Sequence, residues 1–175
     1  GIAVVVRRSR ADSPRVELDA NAVRHVMYRD ASGYHRPMNQ PFVHDQIVRF
    51  AHCDPAGIVY FPRFFDMAHS VMEDWFANGV GYSMPFMIRE HGVATPTASI
   101  RCDFSRPMRM GDTLRFELRV TQLGRSSIGL EYTGLKDGEL HLKIVQTIVF
   151  VTLDTIKPVP IPEAVRPRIE SFICS

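Results

Sequence analysis

The hydrophobic positions of the chain change period twice. From Phe61 onward apolar residues recur at three- and four-residue steps. Phe61, Phe64, Phe65, Ala68, Val71, Met72, Trp75 and Phe76 share one face, while Arg63, Asp66, Ser70, Glu73 and Asp74 fall away from its centre. That spacing predicts one amphipathic helix over Phe61 to Phe76. It should stop near Asn78-Gly79, where glycine suits a left-handed end position. A shorter helical segment, Met84 to Glu90, should end at His91-Gly92. On either side the period is two. Phe42 to Ala51 reads as a strand with imperfect alternation. After Gly92, Ala98, Ile100, Cys102 and Phe104 alternate with Thr97, Ser99, Arg101 and Asp103. Leu114, Phe116, Leu118 and Val120 alternate with Arg115, Glu117, Arg119 and Thr121, and Ile128, Leu130 and Tyr132 continue the pattern. Lys136-Asp137-Gly138-Glu139 is a hairpin signal. Ile144 to Leu153 is apolar at nearly every position, which predicts a central strand covered on both faces. The prolines of Lys157-Pro158-Val159-Pro160-Ile161-Pro162 end it, because proline donates nothing to a ladder.

The order is strand, long helix, then four strands joined by short turns, which is an α+β arrangement. A helix with so wide an apolar face needs a mostly antiparallel sheet that curls around it, the shape called a hotdog. At 175 residues the chain has the length of about one domain. Its 45% hydrophobic residues are enough to fill a core. Residues 1–37 hold seven Arg against four acids, while the remainder is near neutral. We therefore read 1–38 as an N-terminal extension, 39–165 as the hotdog domain and 166–175 as a C-terminal tail. Catalysis is expected to survive removal of residues 1–37. A near-neutral body lacks the basic surplus of a nucleic-acid binder. No apolar run approaches the roughly 18 residues of a membrane span. Ile2 to Val6 precede Arg7-Arg8, the reverse of a signal peptide. Three cysteines are too few for a disulfide scaffold, which points to a reducing, cytoplasmic setting.

The stretch with most chemical content is His52-Cys53-Asp54-Pro55-Ala56-Gly57-Ile58-Val59-Tyr60-Phe61-Pro62-Arg63-Phe64-Phe65-Asp66. Asp54 precedes a turn and then a helix, and helix N-termini present unpaired N–H groups with partial positive charge. Such donors can polarise a carbonyl and stabilise an oxyanion. A carboxylate there can attack the carbonyl or activate water. The plain alternatives are a helix N-cap for Asp54 and a positive-φ turn for Gly57. A second stretch is Gly92-Val93-Ala94-Thr95-Pro96, followed after a strand by Arg106-Pro107-Met108-Arg109-Met110-Gly111-Asp112. His44, His52 and Cys53 do not make metal-ligand spacing. No phosphate loop and no nucleophile-elbow motif are present.

Together the two stretches resemble the 4-hydroxybenzoyl-CoA thioesterase family of hotdog proteins, over roughly residues 42–165. The resemblance implies an acyl-CoA thioesterase that releases a carboxylate and free CoA, with no metal or redox cofactor. It makes Asp54 the nucleophile or general base and the Phe61 N–H the carbonyl donor, with Gly57 shaping the approach. It places Thr95 along the pantetheine channel and Arg125, with Ser126 beside it, near the CoA phosphates. His69 stands where the hydroxybenzoyl enzymes carry an acid that meets the phenol. His69 then touches a different acyl group or is a core-edge histidine. Arg63 stands where the family usually has Asn and reads as a surface residue. The resemblance also implies a homodimer or homotetramer with the site between subunits. A hotdog hydratase would need an Asp-His dyad that is not evident, and a non-catalytic acyl-CoA sensor would not need Asp54.

Overall fold

The computed structural model describes residues 39–173 and the backbone of two short paired strands, β1 (Tyr28–Arg29) and β2 (His35–Arg36). Expectations placed on the rest of 1–38, and on Cys174, lie outside the described residues. The body follows as β3 (Phe42–Ile47), α1 (Pro62–Asp74), α2 (Met84–His91), β4 (Val93–Ala94), β5 (Thr97–Phe104), β6 (Thr113–Leu123), β7 (Ser127–Lys136), β8 (Glu139–Val149), β9 (Val151–Thr152) and α3 (Arg166–Glu170). Five strands make one antiparallel sheet in the order β3-β6-β7-β8-β5. β4 and β9 form a separate pair.

The period-two pattern explains the sheet's two faces. Leu114, Phe116, Leu118, Val120, Ile128, Leu130, Tyr132, Leu142, Ile144 and Ile148 are all fully buried on the inner face. Against them lie Phe64, Met67, Ala68, Val71 and Met72 of α1. Burying each large side chain stabilises by roughly 1.5–3 kcal/mol, which is why the helix sits in the sheet's concavity. The outer face carries Asp45–Arg115, Arg119–Glu117, Lys143–Glu131 and Arg101–Asp103 ion pairs and faces solvent. This is the α+β hotdog arrangement. Asp137 and Gly138, both at positive φ, turn β7 into β8 where the hairpin was expected.

Three details differ from the sequence reading. The helix begins at Pro62, and Phe61 stands 56% exposed rather than on the buried face. At the other end α1 runs into a π-helical stretch, Trp75–Val80, capped by Gly81 at φ +75° instead of by Gly79. The wider turn lets Trp75, Phe76 and Val80 all face the core. Gly79 is needed for closeness: a Cβ there would lie 2.8 Å from the Phe172 ring and 2.9 Å from Trp75. Third, β8 is interior in the sheet but covered on one face only, with Val145 43% exposed on the other. Hydrophobic alternation was masked because β-branched residues also suit its outer face. Within the 166–175 segment, Ile169 and Phe172 belong to the same core as α1.

Candidate active site

The Asp54 loop is a small hairpin tip. Cys53 and Val59 pair across it, the Asp54 N–H donates to Ile58 O at 3.0 Å, and the Gly57 N–H donates to Asp54 O at 2.9 Å. Gly57 has φ +75°, and a Cβ there would meet no atom within 4 Å. Glycine is therefore required by backbone conformation, not by space. The Asp54 carboxylate accepts the Ala56 N–H at Oδ1, 2.8 Å away. That is an Asx turn, and it leaves Oδ2 without a bond among the described residues. Asp54 does not cap α1: the N-cap is Phe61, and no side chain bonds there.

The first turn of α1 has a specific donor shortage. Pro62 has no N–H. The Arg63 N–H is taken by Tyr60 O at 2.8 Å and the Phe64 N–H by Phe61 O at 3.2 Å. Tyr60 itself donates to His52 O at 2.9 Å. What remains at the turn is the Phe61 N–H, with no acceptor among the described residues, at the positive end of a 13-residue helix. The second sequence motif supports the hairpin from below. Val59 donates to Met108 O at 2.9 Å and Ile58 bridges Arg109. The Asp112 carboxylate holds that turn through the Arg109 N–H at 2.7 Å and Lys136 Nζ at 2.7 Å.

His52, set aside in the sequence for lack of metal spacing, borders the same loop. Its Nδ1 accepts the Arg49 N–H at 3.0 Å. Burial, then Arg63 and Arg49, lower its pKa against the pull of Asp66. The ring is thus neutral near pH 7. It lines a groove of about 420 Å³ with His44, Gln46, Arg49, Asp66 and Ser70, into which the sequence offered no pointer. Cys102, on the inner face of β5, has its thiol pushed up to about 11 by burial and by Asp103, so it is no thiolate. Cys53 packs with Sγ 3.7 Å from Arg49 O. Among the described residues no group of His, Cys, Asp and Glu could hold a metal ion, and no helix is long and apolar enough to cross a membrane.

The remaining candidates separate in space. His69 lies on the exposed face of α1, Nε2 3.4 Å from Glu73 Oε1, not at the core edge. Arg63 pairs with Asp66 at 3.1 Å on the same surface. Thr95 sits between β4 and β5. Arg125 and Ser126 form the β6–β7 turn, with Ser126 O accepting the Phe150 N–H at 2.7 Å. Val149 donates to Pro96 O at 3.0 Å. Thr95, Arg125 and Ser126 therefore gather at the start of β5. The first turn of α1 lies at its other end, where the Phe64 and Phe104 rings are 5.5 Å apart. Eight strand residues separate the ends, roughly 23 Å at ~3.3 Å per residue. One chain does not bring Asp54, Gly57 and Phe61 together with Thr95, Arg125 and Ser126.

Known proteins share this fold. Residues 48–169 match the family described as the thioesterase-like superfamily. A 1,4-dihydroxy-2-naphthoyl-CoA hydrolase of Synechococcus elongatus is 29% identical over 123 residues, 69% of this chain and 89% of that protein. One from Thermosynechococcus vestitus is 30% identical over 121 residues, 69% of this chain and 82% of that protein. The crystal structure of a 1,4-dihydroxy-2-naphthoyl-CoA thioesterase from Synechocystis superposes with a TM-score of 0.68 at 27% identity, over 73% of this chain and 94% of that one. With a match spanning most of the residues that build the sheet, α1 and the Asp54 hairpin, the chain belongs to the thioesterase-like superfamily.

Proposed function

We propose that this protein is a thioester hydrolase that cleaves an aromatic acyl-CoA carrying ring hydroxyls, working as a homodimer without metal or redox cofactor. The observation that carries the reading is the Asp54 hairpin beside a helix turn whose one spare donor is the Phe61 N–H. A carbonyl oxygen bound at that N–H is polarised by the helix end, and an oxyanion formed on attack is stabilised there. Asp54 keeps Oδ2 for the reaction while Ala56 holds Oδ1. Asp54 then either attacks the carbonyl carbon, giving a mixed anhydride and CoA thiolate that water resolves, or takes a proton from attacking water.

The relatives' names and the surroundings support the substrate class. The relatives act on a dihydroxynaphthoyl thioester by name. Tyr60, Phe61 and Phe104 stand exposed around the first turn of α1, a surface that suits a flat ring. His69, held by Glu73 on the exposed face of α1, is the side chain we assign to a ring hydroxyl. The separation of the candidate residues along β5 supports the dimer. β5 is an edge strand exposed along nearly its whole length, and its inner-face residues Ile100 and Phe104 are uncovered. Such an edge invites a second strand. Antiparallel pairing of two β5 strands about a two-fold axis sets the start of one beside the end of the other. Thr95, Arg125 and Ser126 of one copy then face Asp54 and Phe61 of the other, with Arg125 presented to CoA phosphate.

Asp54→Asn tests the reading. Asparagine keeps the shape and the Asx turn but is neither nucleophile nor base. Hydrolysis of 1,4-dihydroxy-2-naphthoyl-CoA and benzoyl-CoA should fall at least ~10²-fold, while acyl-CoA binding by calorimetry persists. Near-equal rates would remove Asp54 from the chemistry and leave an acyl-CoA-binding protein as the better reading.

A further inference from the structure

One buried polar chain in the sheet has no role in the packing just described. The Tyr132 O–H donates to Gln146 Oε1 at 2.7 Å, and Gln146 Nε2 donates to Thr97 Oγ1 at 2.7 Å. Tyr132 is fully buried and Gln146 is 5% exposed, whereas Thr97 opens to the surface at the start of β5. The direction of the chain is set at its buried end. A phenol with a single neighbour must donate to it, or leave its own proton stranded in the core. Gln146 must then turn its NH₂ toward Thr97. Thr97 Oγ1 is thereby occupied as an acceptor, and its proton has no acceptor among the described residues. A hydrophobic sheet would be served as well by Phe, Leu and Val at these positions. This arrangement instead delivers one hydroxyl proton, aimed, at an exposed point.

The position of that point follows from the register. Thr97 opposes Ile148 and Phe104 opposes Leu142, so both lie on the inner face, with a bulge between Thr97 and Ser99 correcting the parity. In the β5–β5 dimer, opposed residues must share a face. Any two-fold through a residue of β5 meets this; one near the strand's centre, through Arg101, sets Ile100 against Cys102 and Phe104 against the Thr97–Ala98 bulge. Phe104 touches Phe64 in the first turn of α1. On that axis Thr97 of one copy lies at the first turn of α1 of the other, the turn that carries the Phe61 N–H.

We infer that Thr97 is a substrate-binding residue acting across the dimer, donating its hydroxyl proton to a carbonyl oxygen of the acyl-CoA bound at Asp54 of the second copy. Gln146 and Tyr132 are positioning residues that fix the hydroxyl's direction. The inference rests on the proposed thioesterase dimer.

The test uses the full chain. Thr97→Val keeps shape and strand preference but removes the hydroxyl, and Thr97→Ser restores it. Thr97→Val should lower kcat/KM for 1,4-dihydroxy-2-naphthoyl-CoA by at least about 10-fold, with circular dichroism and dimer assembly unchanged and only a modest fall in melting temperature from the Gln146 amide left unpaired, and Thr97→Ser should recover most of both losses. A fall in kcat assigns the bond to the thioester carbonyl, and a rise in KM assigns it to an amide carbonyl of the pantetheine arm. Two differently tagged chains, one Asp54→Asn and one Thr97→Val, are then co-expressed and the mixed dimer isolated. One of its two sites combines native Asp54 with native Thr97 from the other chain, so it should turn over at the wild-type rate per intact site. Full activity of Thr97→Val, or a mixed dimer no better than Thr97→Val itself, overturns the inference. Wild type without hydrolysis, or Asp54→Asn with full hydrolysis, instead strikes the reading on which it rests.

Discussion

At the scale of single residues, the Asp54 hairpin depends on side chains that lie outside it. Asp112 is the clearest. Burial pushes its carboxyl pKa up, but the bond from Lys136 and the Arg109 N–H outweigh that and hold it below the ordinary carboxylate value. Its backbone also takes the Val48 N–H at 2.8 Å, so it ties β3 to the turn under the Asp54 hairpin. A carboxyl with a depressed folded pKa adds stability above its unfolded value, about 3.9, and loses it as pH falls through the folded value. Asp112→Asn should therefore melt a few degrees below wild type at pH 7. The gap should shrink as the pH is lowered beneath about 4, as followed by thermal denaturation across a pH series. That Asp54 stands in a turn just ahead of a helix was legible, because a carboxylate, turn residues and a helical stripe stand in a row. That it is no N-cap was not legible. The N-cap lies at Phe61, and only the hairpin closed by Cys53 and Val59 shows this.

At the scale of elements, the hydrophobic stripe marks the helix but neither of its ends. Phe61 looks apolar in a pattern count, yet it sits at the N-cap, before helical side-chain spacing begins. The π-helical stretch after α1 carries no local signature. It is stabilised by what packs on it, chiefly Phe172, whose ring meets Trp75 edge-on at 5.6 Å. Phe172 comes from a segment that reads as a tail because it follows a proline run. In the fold α3 and the residues after it close the end of the core, and Val120 donates to Phe172 O at 3.1 Å. Phe172→Ala should destabilise the protein by about 3–5 kcal/mol, the usual range for a buried phenylalanine. Urea denaturation gives that value directly, and a loss below about 1 kcal/mol would mean this end of the core is dispensable.

At the scale of the whole molecule, the edge strand is the open feature. β5 leaves its ladder open on one side and its inner-face apolar residues uncovered. Ile100 sits near the proposed two-fold, where a charge would be buried opposite Cys102 without a partner. Ile100→Glu should yield a monomer in sedimentation, with wild-type circular dichroism and hydrolysis reduced to background. A monomer that still turns over at the wild-type rate would show that one chain holds a complete site.

The sequence by itself determined the elements and the turn that carries Asp54. Hydrophobic period is a local property, and turn chemistry at Asp54-Pro55-Ala56-Gly57 is written in adjacent residues. Tertiary structure alone decided the rest. The spare donor at Phe61 emerges only after Arg63 and Phe64 have spent their own N–H groups within the turn. The Tyr132–Gln146–Thr97 chain joins three strands positions that lie far apart in sequence, and a hydrogen bond across a sheet has no period to betray it. The roughly 23 Å between the Asp54 hairpin and the group of Thr95, Arg125 and Ser126 is likewise a strand length, invisible until β5 is seen to run between them.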